Sequence, residues 1–437
     1  MSLEPGNSFA QRILHTASQR GWNTRPLKYL FKRQKVLGAG DELLLSIYRD
    51  YGVVAKESRD DNFNKSSDDL SKYQVVHSGD LVVNKMKAWQ GSVAVSELDG
   101  IISPAYFVYK PSGEIYQKYA HYLLRSGLYF QYYASISTGV RPNQWDLDPM
   151  QFDRMPVPTP PPIEQRQIAD YLDHETAEID AFIADLEVMQ SLVLERGEAE
   201  RDKMIWDADQ RLIPLRRLIS YVDQGSSPQA TSTPAGPGEV GILKSGCTNF
   251  GQFNPNANKA IPEGMDIPEN YFVKEGDLIV SRASGSTKHV ASTAVVPALD
   301  RSLALSDKHY RLHMNYGVDV HYIATVMQSM PFRNQLEPYI SGASGLAKNI
   351  SLSALKSMTV PALSAADQSH IGNKTRESFL KIRETTQSIA TAVDLARERR
   401  AAFITAAVTG QIDVTAMNKP AAEQLEDDIA QGLHKES

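Results

Sequence analysis

The arrangement of apolar positions along the chain predicts two long helices. In residues 162–206 and again in residues 364–410, apolar-leaning positions recur in alternating steps of three and four, which is a heptad stripe. We expect each stretch to form one helix and the two helices to pair as an antiparallel coiled coil. The first stripe comprises Ile168, Leu172, Glu175, Ile179, Phe182, Leu186, Met189 and Val193, and the second comprises Phe379, Ile382, Thr386, Ile389, Val393, Ala396, Arg400 and Phe403.

Local signals mark where these helices begin. Prolines at positions 160–162 end a strand and favour a helix start, because the fixed φ of proline suits the first helical turn. Ser364 followed by Asp367 matches a capping pattern for the second helix. Gly197 interrupts the first helix, and a glycine there costs about 1 kcal/mol relative to alanine.

An internal duplication surrounds the helices. Gly-Asp-Leu precedes an apolar run at residues 79–81 and again at residues 276–278. Met-Pro-Val-Pro at 155–158 and Glu164-Gln165 have counterparts 203 residues later, in Met-Thr-Val-Pro and Asp367-Gln368. Three collinear matches predict two copies of a domain followed by a helix. An antiparallel helix pair would then hold the two domains at opposite ends of a rod; the alternative is that each helix only caps its own domain.

Each domain mixes short apolar runs with clusters of Gly, Pro, Ser and Asn, which predicts strands, loops and some helix. The expected fold class is therefore mixed α and β: two α/β domains, at residues 1–161 and 207–363, separated by the coiled coil. Residues 411–437 are expected to form a short extended segment and an acidic, flexible tail.

Composition limits the possible classes of protein. With 437 residues, 42% of them hydrophobic and 22% charged, the chain has room for two to four folding units. It lacks the run of about 18 apolar residues that a membrane span requires. The first residues lack the pattern of a secretory signal, and Cys247 is the single cysteine, so a cytoplasmic location without membrane contact is expected.

Charge is unevenly distributed. The net charge is −6, yet residues 1–161 carry +3 and residues 207–363 carry +1, while residues 162–206 carry −8. The two domains are therefore free to present basic surfaces to an anion.

Motifs for catalysis or cofactor binding are missing from the sequence. We find no phosphate-binding loop, no dinucleotide-binding glycine pattern and no acidic residue two positions before a lysine, as a common nuclease class requires. His309 and His313 lie in a stretch that alternates like a strand, and Cys247 has no companion ligand, so no metal site is expected. Two similar domains on a rigid spacer suit recognition of two features of one extended ligand.

The two-domain, two-helix plan resembles the specificity subunit of type I restriction-modification enzymes. The resemblance extends from about Thr24 to Val414 and is most distinctive in PPPIEQRQIADYLDHETAEIDAFIADLE, with its E-Q-x-x-I start, and in RERRAAFITAAVTGQIDV. The second helix departs from the family by beginning with Ala365-Ala366-Asp367-Gln368. The resemblance implies that the domains are target-recognition domains, each reading one half of a split, asymmetric site in double-stranded DNA.

The resemblance further implies the partners of the chain. The helices would set the spacing and bind two methyltransferase subunits, and motor-nuclease subunits would join that core. Such a chain is not itself an enzyme: S-adenosylmethionine, ATP and Mg²⁺ would belong to the partner subunits.

Polar, donor-rich loops at corresponding places are the candidates for DNA contact, because Arg, Lys, Asn and Gln match base edges and phosphates. The residue types differ between the copies, as two different half-sites would require. The first domain offers Asn84, Lys85, Lys87, Trp89, Gln90, Arg141, Asn143, Gln144 and Trp145, and the second offers Arg282, Ser284, Ser286, Lys288, His289, Ser344, Lys348 and Asn349. A second hypothesis stays open: a non-catalytic coiled-coil scaffold whose two α/β domains bind protein.

Overall fold

The structure is a computed structural model, in which the chain forms two compact units. Unit 1 comprises residues 1–186 and 392–437, and unit 2 comprises residues 187–391, so each long helix contributes to both. The structure describes residues 5–414 except 39, 50, 59–68, 142–143, 207–209, 237, 263 and 343–346.

Ten α-helices lie in the described part of the chain, and two of them are 44 residues long. None of the helices that the structure describes combines the length and the apolar run needed to cross a bilayer. The helices are α1 Pro5–Gln19, α2 Leu27–Leu30, α3 Gln117–Leu124, α4 Gly127–Ser135, α5 Pro149–Arg154, α6 Pro162–Ile205, α7 Val320–Gln328, α8 Met330–Leu336, α9 Leu352–Ser357 and α10 Ala365–Val408.

A four-stranded antiparallel sheet organises unit 1, with strand order β2-β9-β6-β7, and two-stranded pairs β1-β12, β3-β4, β5-β8 and β10-β11 surround it. The strands are β1 Asn23–Pro26, β2 Phe31–Gln34, β3 Leu45–Tyr48, β4 Gly52–Ala55, β5 Gln74–Val76, β6 Leu81–Asn84, β7 Val93–Val95, β8 Gly100–Ile102, β9 Tyr106–Pro111, β10 Ser137–Arg141, β11 Gln144–Leu147 and β12 Pro156–Thr159.

Unit 2 repeats this plan. Its four-stranded sheet has the equivalent order β14-β21-β17-β19, and β13-β23 matches β1-β12. A three-stranded sheet β16-β15-β20 and the pair β18-β22 complete it. The strands are β13 Leu212–Pro214, β14 Ile219–Gln224, β15 Val240–Leu243, β16 Asn258–Ala260, β17 Leu278–Ser281, β18 Ala283–Ser284, β19 Thr293–Val295, β20 Ser302–Ala304, β21 His309–Met314, β22 Lys348–Asn349 and β23 Thr359–Pro361.

The apolar runs that follow each Gly-Asp turn are buried on both faces of their sheets. In unit 1, Leu81 and Val83 join the main core, whereas Val82 joins a second core on the other face. In unit 2, Leu278 likewise joins the main core, and Ile279 joins the core on the other face of the sheet. Successive side chains of a strand point to opposite faces, so a sheet covered on both sides requires an unbroken apolar run.

The glutamine of the E-Q-x-x-I motif fastens the start of each long helix to its unit. The Gln165 side chain accepts a hydrogen bond from Tyr116 N (2.7 Å) and donates one to Pro160 O (2.8 Å). Gln368 makes the equivalent bonds with Asp319 N (3.1 Å) and Leu363 O (3.0 Å). Both glutamines are buried. The motif is therefore structural in this chain, and Ser364 caps α10 through Asp367, as the sequence predicts.

Replacing Gln165 by alanine is expected to destabilise unit 1 by about 1–3 kcal/mol, because the Tyr116 N–H would lose its acceptor inside the protein. Gln368→Ala should have the same effect on unit 2. Urea unfolding measures the stability of each variant, and hydrogen exchange of the backbone amides shows which unit is destabilised. Asp170→Ala, at an exposed position of α6, is the control and should change stability by less than about 0.5 kcal/mol; equal effects of all three changes would contradict the assignment.

The two long helices pack together with antiparallel direction. Within unit 1, the Tyr171 and Phe403 ring centroids are 5.7 Å apart, and Arg400 pairs with Asp180 at 2.8 Å. The residue numbers rise along α6 as they fall along α10, which defines the antiparallel pairing. The expectation of an antiparallel helix pair is therefore confirmed.

Within unit 2 the same direction continues. Gln190 Nε2 donates to Thr386 O at 3.2 Å. Gly197 faces α10, where an added Cβ would meet the end of the Ile382 side chain.

The predicted stripe on α6 is partly wrong in register. Phe182 and Met189 are 53% and 45% exposed, whereas the neighbouring Ile183 is only 9% exposed and Thr176 is buried. At these two positions the inward-facing residue is the next one in sequence, whereas Ile168 and Leu172 are buried as predicted and Ile179, Leu186 and Val193 are half-buried. The prediction selected the large apolar Phe182 and Met189, which lie about 100° around the helix from their inward-facing neighbours. On α10, Phe379 is also exposed, at 38%, while Ile389, Val393 and Ala396 are buried.

Candidate nucleic-acid interface

In unit 1, two loops that are distant in sequence meet through a main-chain hydrogen bond. Leu147 N, at the end of the β10-β11 hairpin, donates to Lys85 O, just after β6, at 3.0 Å. We call this hydrogen bond the joint of unit 1. In the same two segments, the Trp89 and Trp145 ring centroids lie 4.8 Å apart. The fold therefore brings together the two segments of unit 1 that contain the predicted DNA-contact residues.

Unit 2 uses the same joint. Ile350 N, at the end of β22, donates to Arg282 O at 2.9 Å, and Ser284 pairs with Lys348 across β18 and β22. A second main-chain hydrogen bond is also equivalent in the two units. The N–H of Lys85 donates to Ala105 O, and the N–H of Arg282 donates to Lys308 O. The two copies thus share one backbone arrangement and differ in the side chains that it carries.

A cation lies over an aromatic ring beside each joint. Lys85 Nζ is 4.8 Å from the Phe107 ring centroid, and the Arg282 guanidinium carbon is 5.6 Å from that of Tyr310. Lys85 Nζ also donates to Pro104 O at 2.6 Å. Lys85 is therefore anchored at the base of its loop rather than extended from it.

Two cations, Arg33 and Lys35, and one carboxylate, Asp146, act on the Lys85 ammonium. Burial, and then the positive charges of Arg33 and Lys35, lower the pKa of the Lys85 ammonium. Arg33 also lies over the Phe107 ring, with its guanidinium carbon 4.0 Å from the ring centroid. A cluster of cations around one ring favours an anionic ligand, and a bound phosphate would relieve the repulsion among them.

A cleft of about 1120 Å³ opens beside the unit 1 loops. Asn84, Lys87, Trp89 and Gln90 line it, so four of the predicted residues share one surface. The opposite wall comes from the β3-β4 hairpin, which adds the cations Arg49 and Lys56. The described residues that line this cleft include no Asp or Glu.

Sequence reasoning missed Arg49 and Lys56. Each follows a short strand of the hairpin, Leu45–Tyr48 and Gly52–Ala55, far in sequence from the Gly-Asp turn that directed attention to residues 84–90. The available signal was a basic residue directly after each of two short apolar strands. Arg125 holds the hairpin in place by donating to Arg49 O at 2.6 Å.

The remaining predicted residues occupy the loops of unit 2 and the hairpin of unit 1. Ser286 and Lys288 are exposed, and Ser284 and His289 are half-buried, in or beside a 3-10 helix formed by residues 287–289. Asn349 Oδ1 accepts a hydrogen bond from Ser341 at 3.3 Å. Asn143 and Ser344 lie outside the described residues, as do the side chains of Arg141 and Gln144. Contact of any of these residues with DNA stays a prediction.

Cys247 has a neighbour that the sequence did not reveal. Its Sγ lies 3.3 Å from His309 Nε2, and Ser306 Oγ lies 2.9 Å from His309 Nδ1. Burial raises the pKa of the Cys247 thiol to about 12 and lowers the pKa of His309 to about 4. Both groups are therefore neutral near pH 7, and the arrangement does not supply a thiolate nucleophile.

The histidine pair of β21 is not arranged for metal binding. His309 contacts Cys247 and Ser306, whereas His313 Nε2 lies 2.9 Å from Asp223 and stacks on Tyr221. Within the described ranges, no three His, Cys, Asp or Glu side chains are grouped so as to hold a metal ion.

Similarity to known proteins was found at the levels of sequence and fold. The chain is 23% identical over 287 residues to the type I restriction enzyme EcoKI specificity subunit of Escherichia coli K12, covering 62% of this chain and 60% of that protein. It is 27% identical over 176 residues to the EcoEI specificity subunit of Escherichia coli, covering 40% of this chain and 29% of that protein. The matches thus span less than two thirds of either relative. No family model matches the chain.

A solved structure shares the fold. One chain from work on complex assembly and conformational transition of the type I restriction-modification system superposes with a TM-score of 0.66 and 13% identity, covering 90% of this chain and 98% of that one. The sequence similarity, the repeated domain and the paired long helices agree, and the chain accordingly resembles the specificity subunits of type I restriction enzymes.

Proposed function

We propose that the chain is a DNA sequence-specificity subunit in which each unit reads one half of a bipartite, asymmetric site. The observation that carries the proposal is the repeated joint: two equivalent backbone frames display different polar side chains beside Lys85 and Arg282. Two frames of one shape with unlike side chains suit two half-sites of unlike sequence, because base edges are distinguished by donor and acceptor patterns.

The helix pair would set the spacing and dock methyltransferase subunits. A 44-residue helix at a rise of about 1.5 Å per residue is on the order of 66 Å long, which exceeds the roughly 34 Å between half-sites one DNA turn apart. The net charge of −8 over residues 162–206 disfavours contact with phosphate, so this segment suits protein partners.

The proposed complex contains two methyltransferase subunits and motor-nuclease subunits on double-stranded DNA in the cytoplasm. In it, S-adenosylmethionine, ATP and Mg²⁺ are bound by the partners, which would flip the target adenine from the stack. This chain would contribute sequence recognition and no catalytic group.

Mapping N6-methyladenine in the host genome, with and without the gene for this chain, tests the proposal. We expect methylation at one bipartite motif that disappears on deletion and returns on complementation. Arg282→Ala should relax the preference at one base of one half-site, at a cost of about 1–3 kcal/mol, and leave the other half unchanged. An unaltered methylation pattern after deletion would contradict the proposal.

The second candidate is a coiled-coil scaffold with two protein-binding domains. Selection of bound duplexes from a random pool, with the complete subunit complex, separates the two functions. A specificity subunit enriches one split sequence, and its affinity falls steeply with salt as counterions are released. A scaffold gives no enrichment at any salt concentration.

A further inference from the structure

In unit 1, Trp89 and Trp145 form an aromatic pair at the candidate nucleic-acid interface. Their ring centroids are 4.8 Å apart with planes tilted by 48°. Trp89 Nε1 donates to Met86 O at 3.0 Å, which fixes the orientation of this indole. Met86 itself is 43% exposed. A large apolar group is thus held in a defined position at a polar surface.

The cleft beside this pair has the chemistry of a nucleobase site. Aromatic residues and cations line it together, and its described lining contains no carboxylate, while Asn84 and Gln90 offer amide groups that match base edges. Its volume of about 1120 Å³ exceeds the roughly 300–1000 Å³ typical of small-molecule pockets, so a nucleotide has room. The aromatic residues are Tyr48, Tyr73, Trp89, Tyr106 and Phe130, and the cations are Arg49, Lys56 and Lys87.

Unit 2 has lysines at both corresponding positions. Trp89 is the middle residue of the 3-10 helix Ala88–Gln90, and Lys288 is the middle residue of the equivalent helix Thr287–His289. Trp145 lies two residues before the N–H that closes the joint of unit 1, and Lys348 lies two residues before that of unit 2. In these two segments, unit 1 therefore carries an aromatic pair and unit 2 carries two lysines.

We propose that Trp89, supported by Trp145, stacks on a nucleobase that leaves the helical stack and enters the cleft of unit 1. The inference rests on the proposed DNA-reading function and adds a mode of contact to it. An apolar partner protein is disfavoured as occupant because three cations without a described carboxylate surround the aromatic residues, which favours a ligand with a phosphate backbone. The equivalent lysines of unit 2 contact phosphate instead.

Paired variants in the complete subunit complex test this division. Trp89→Ala with Trp145→Ala should weaken binding to the enriched duplex by roughly 5- to 150-fold, because each base–aromatic stack contributes that much, and should leave the salt dependence of affinity unchanged. Trp89→Phe with Trp145→Phe keeps a stacking face and should stay within about threefold of the native chain. Lys288→Ala with Lys348→Ala is the matched control in unit 2 and should reduce the salt slope by about 0.9 per lost phosphate contact.

Photocrosslinking on the unmodified chain supplies a readout that does not depend on the folding of variants. Duplexes carrying 5-iodouracil at single positions of the half-site should crosslink to Trp89 or Trp145, as identified by mass spectrometry of the linked peptide. Crosslinks that form only elsewhere, or alanine variants that bind within twofold of the native chain, would overturn the stacking proposal while the DNA function stands. Failure to enrich any duplex would overturn both.

Discussion

Arg311→Ala should destabilise unit 2 by about 3–5 kcal/mol, because the guanidinium neutralises two carboxylates in a buried position. Arg311 is 6% exposed. It contacts Asp223 at 2.5 Å and Asp277 at 3.0 Å, and it donates to Phe272 O and Asn270 O. Removing it leaves both carboxylates and both carbonyls without this partner. Urea unfolding of the chain measures the loss of stability, and hydrogen exchange of the backbone amides shows whether it lies in the sheet of unit 2.

Lys308→Ala is the matched control, because Lys308 precedes the same strand and pairs with Asp307 where both side chains are partly exposed. Its removal should cost less than about 1 kcal/mol. If the two variants were equally stable, the Arg311 cluster would contribute no more than a surface ion pair.

The pH dependence of this loss has a defined sign. Burial raises the pKa of Asp223, but hydrogen bonds from Arg311 and His313 outweigh burial and hold that pKa below its usual value. A carboxyl group with a depressed pKa in the folded state stabilises the protein above its unfolded pKa of about 3.9, and the contribution is lost as the pH falls through the folded value. The difference between native chain and Arg311→Ala should therefore shrink on acidification below about pH 4.

A second large effect is expected at the helix pair of unit 1. Ile183→Asp would place an uncompensated charge at a buried position of α6 and should cost about 3–5 kcal/mol. Hydrogen exchange of residues 392–408 should rise in the variant, since that segment of α10 packs on this part of α6 within the unit.

Phe182→Asp provides the comparison one residue away, where the side chain is 53% exposed. It should change stability by less than about 0.5 kcal/mol. A larger loss from Phe182→Asp than from Ile183→Asp would restore the register predicted from sequence and refute the one observed.

The sequence predicted the long helices because a heptad stripe depends on spacing alone. It predicted their antiparallel pairing because a whole domain separates the two helices and each follows an equivalent domain. It predicted only part of the inward face of α6. Thr176 and Gln190 occupy inward-facing positions while apolar Phe182 and Met189 lie outside, so ranking by hydrophobicity selected the wrong neighbours. A polar residue on an inward face can be identified only once the facing helix shows a partner, such as Thr386 O for Gln190.

The candidate interface was predicted in outline for a different reason. The Gly-Asp turns fix where β6 and β17 begin, so the loops after these strands could be located in both copies. The second wall of the cleft could not, because the β3-β4 hairpin approaches through tertiary contacts that no local pattern records. The Cys247–His309 contact was missed likewise, since 62 residues separate its partners.

The joints between the loops consist only of main-chain atoms, from Leu147 N to Lys85 O and from Ile350 N to Arg282 O. Any amino acid except proline at the donor position can make such a bond. Substitutions at the neighbouring side chains can therefore accumulate without dismantling the frame that presents them. Under the proposed function, evolution can therefore change the half-site that one unit reads, one residue at a time, while the rest of the protein stays intact.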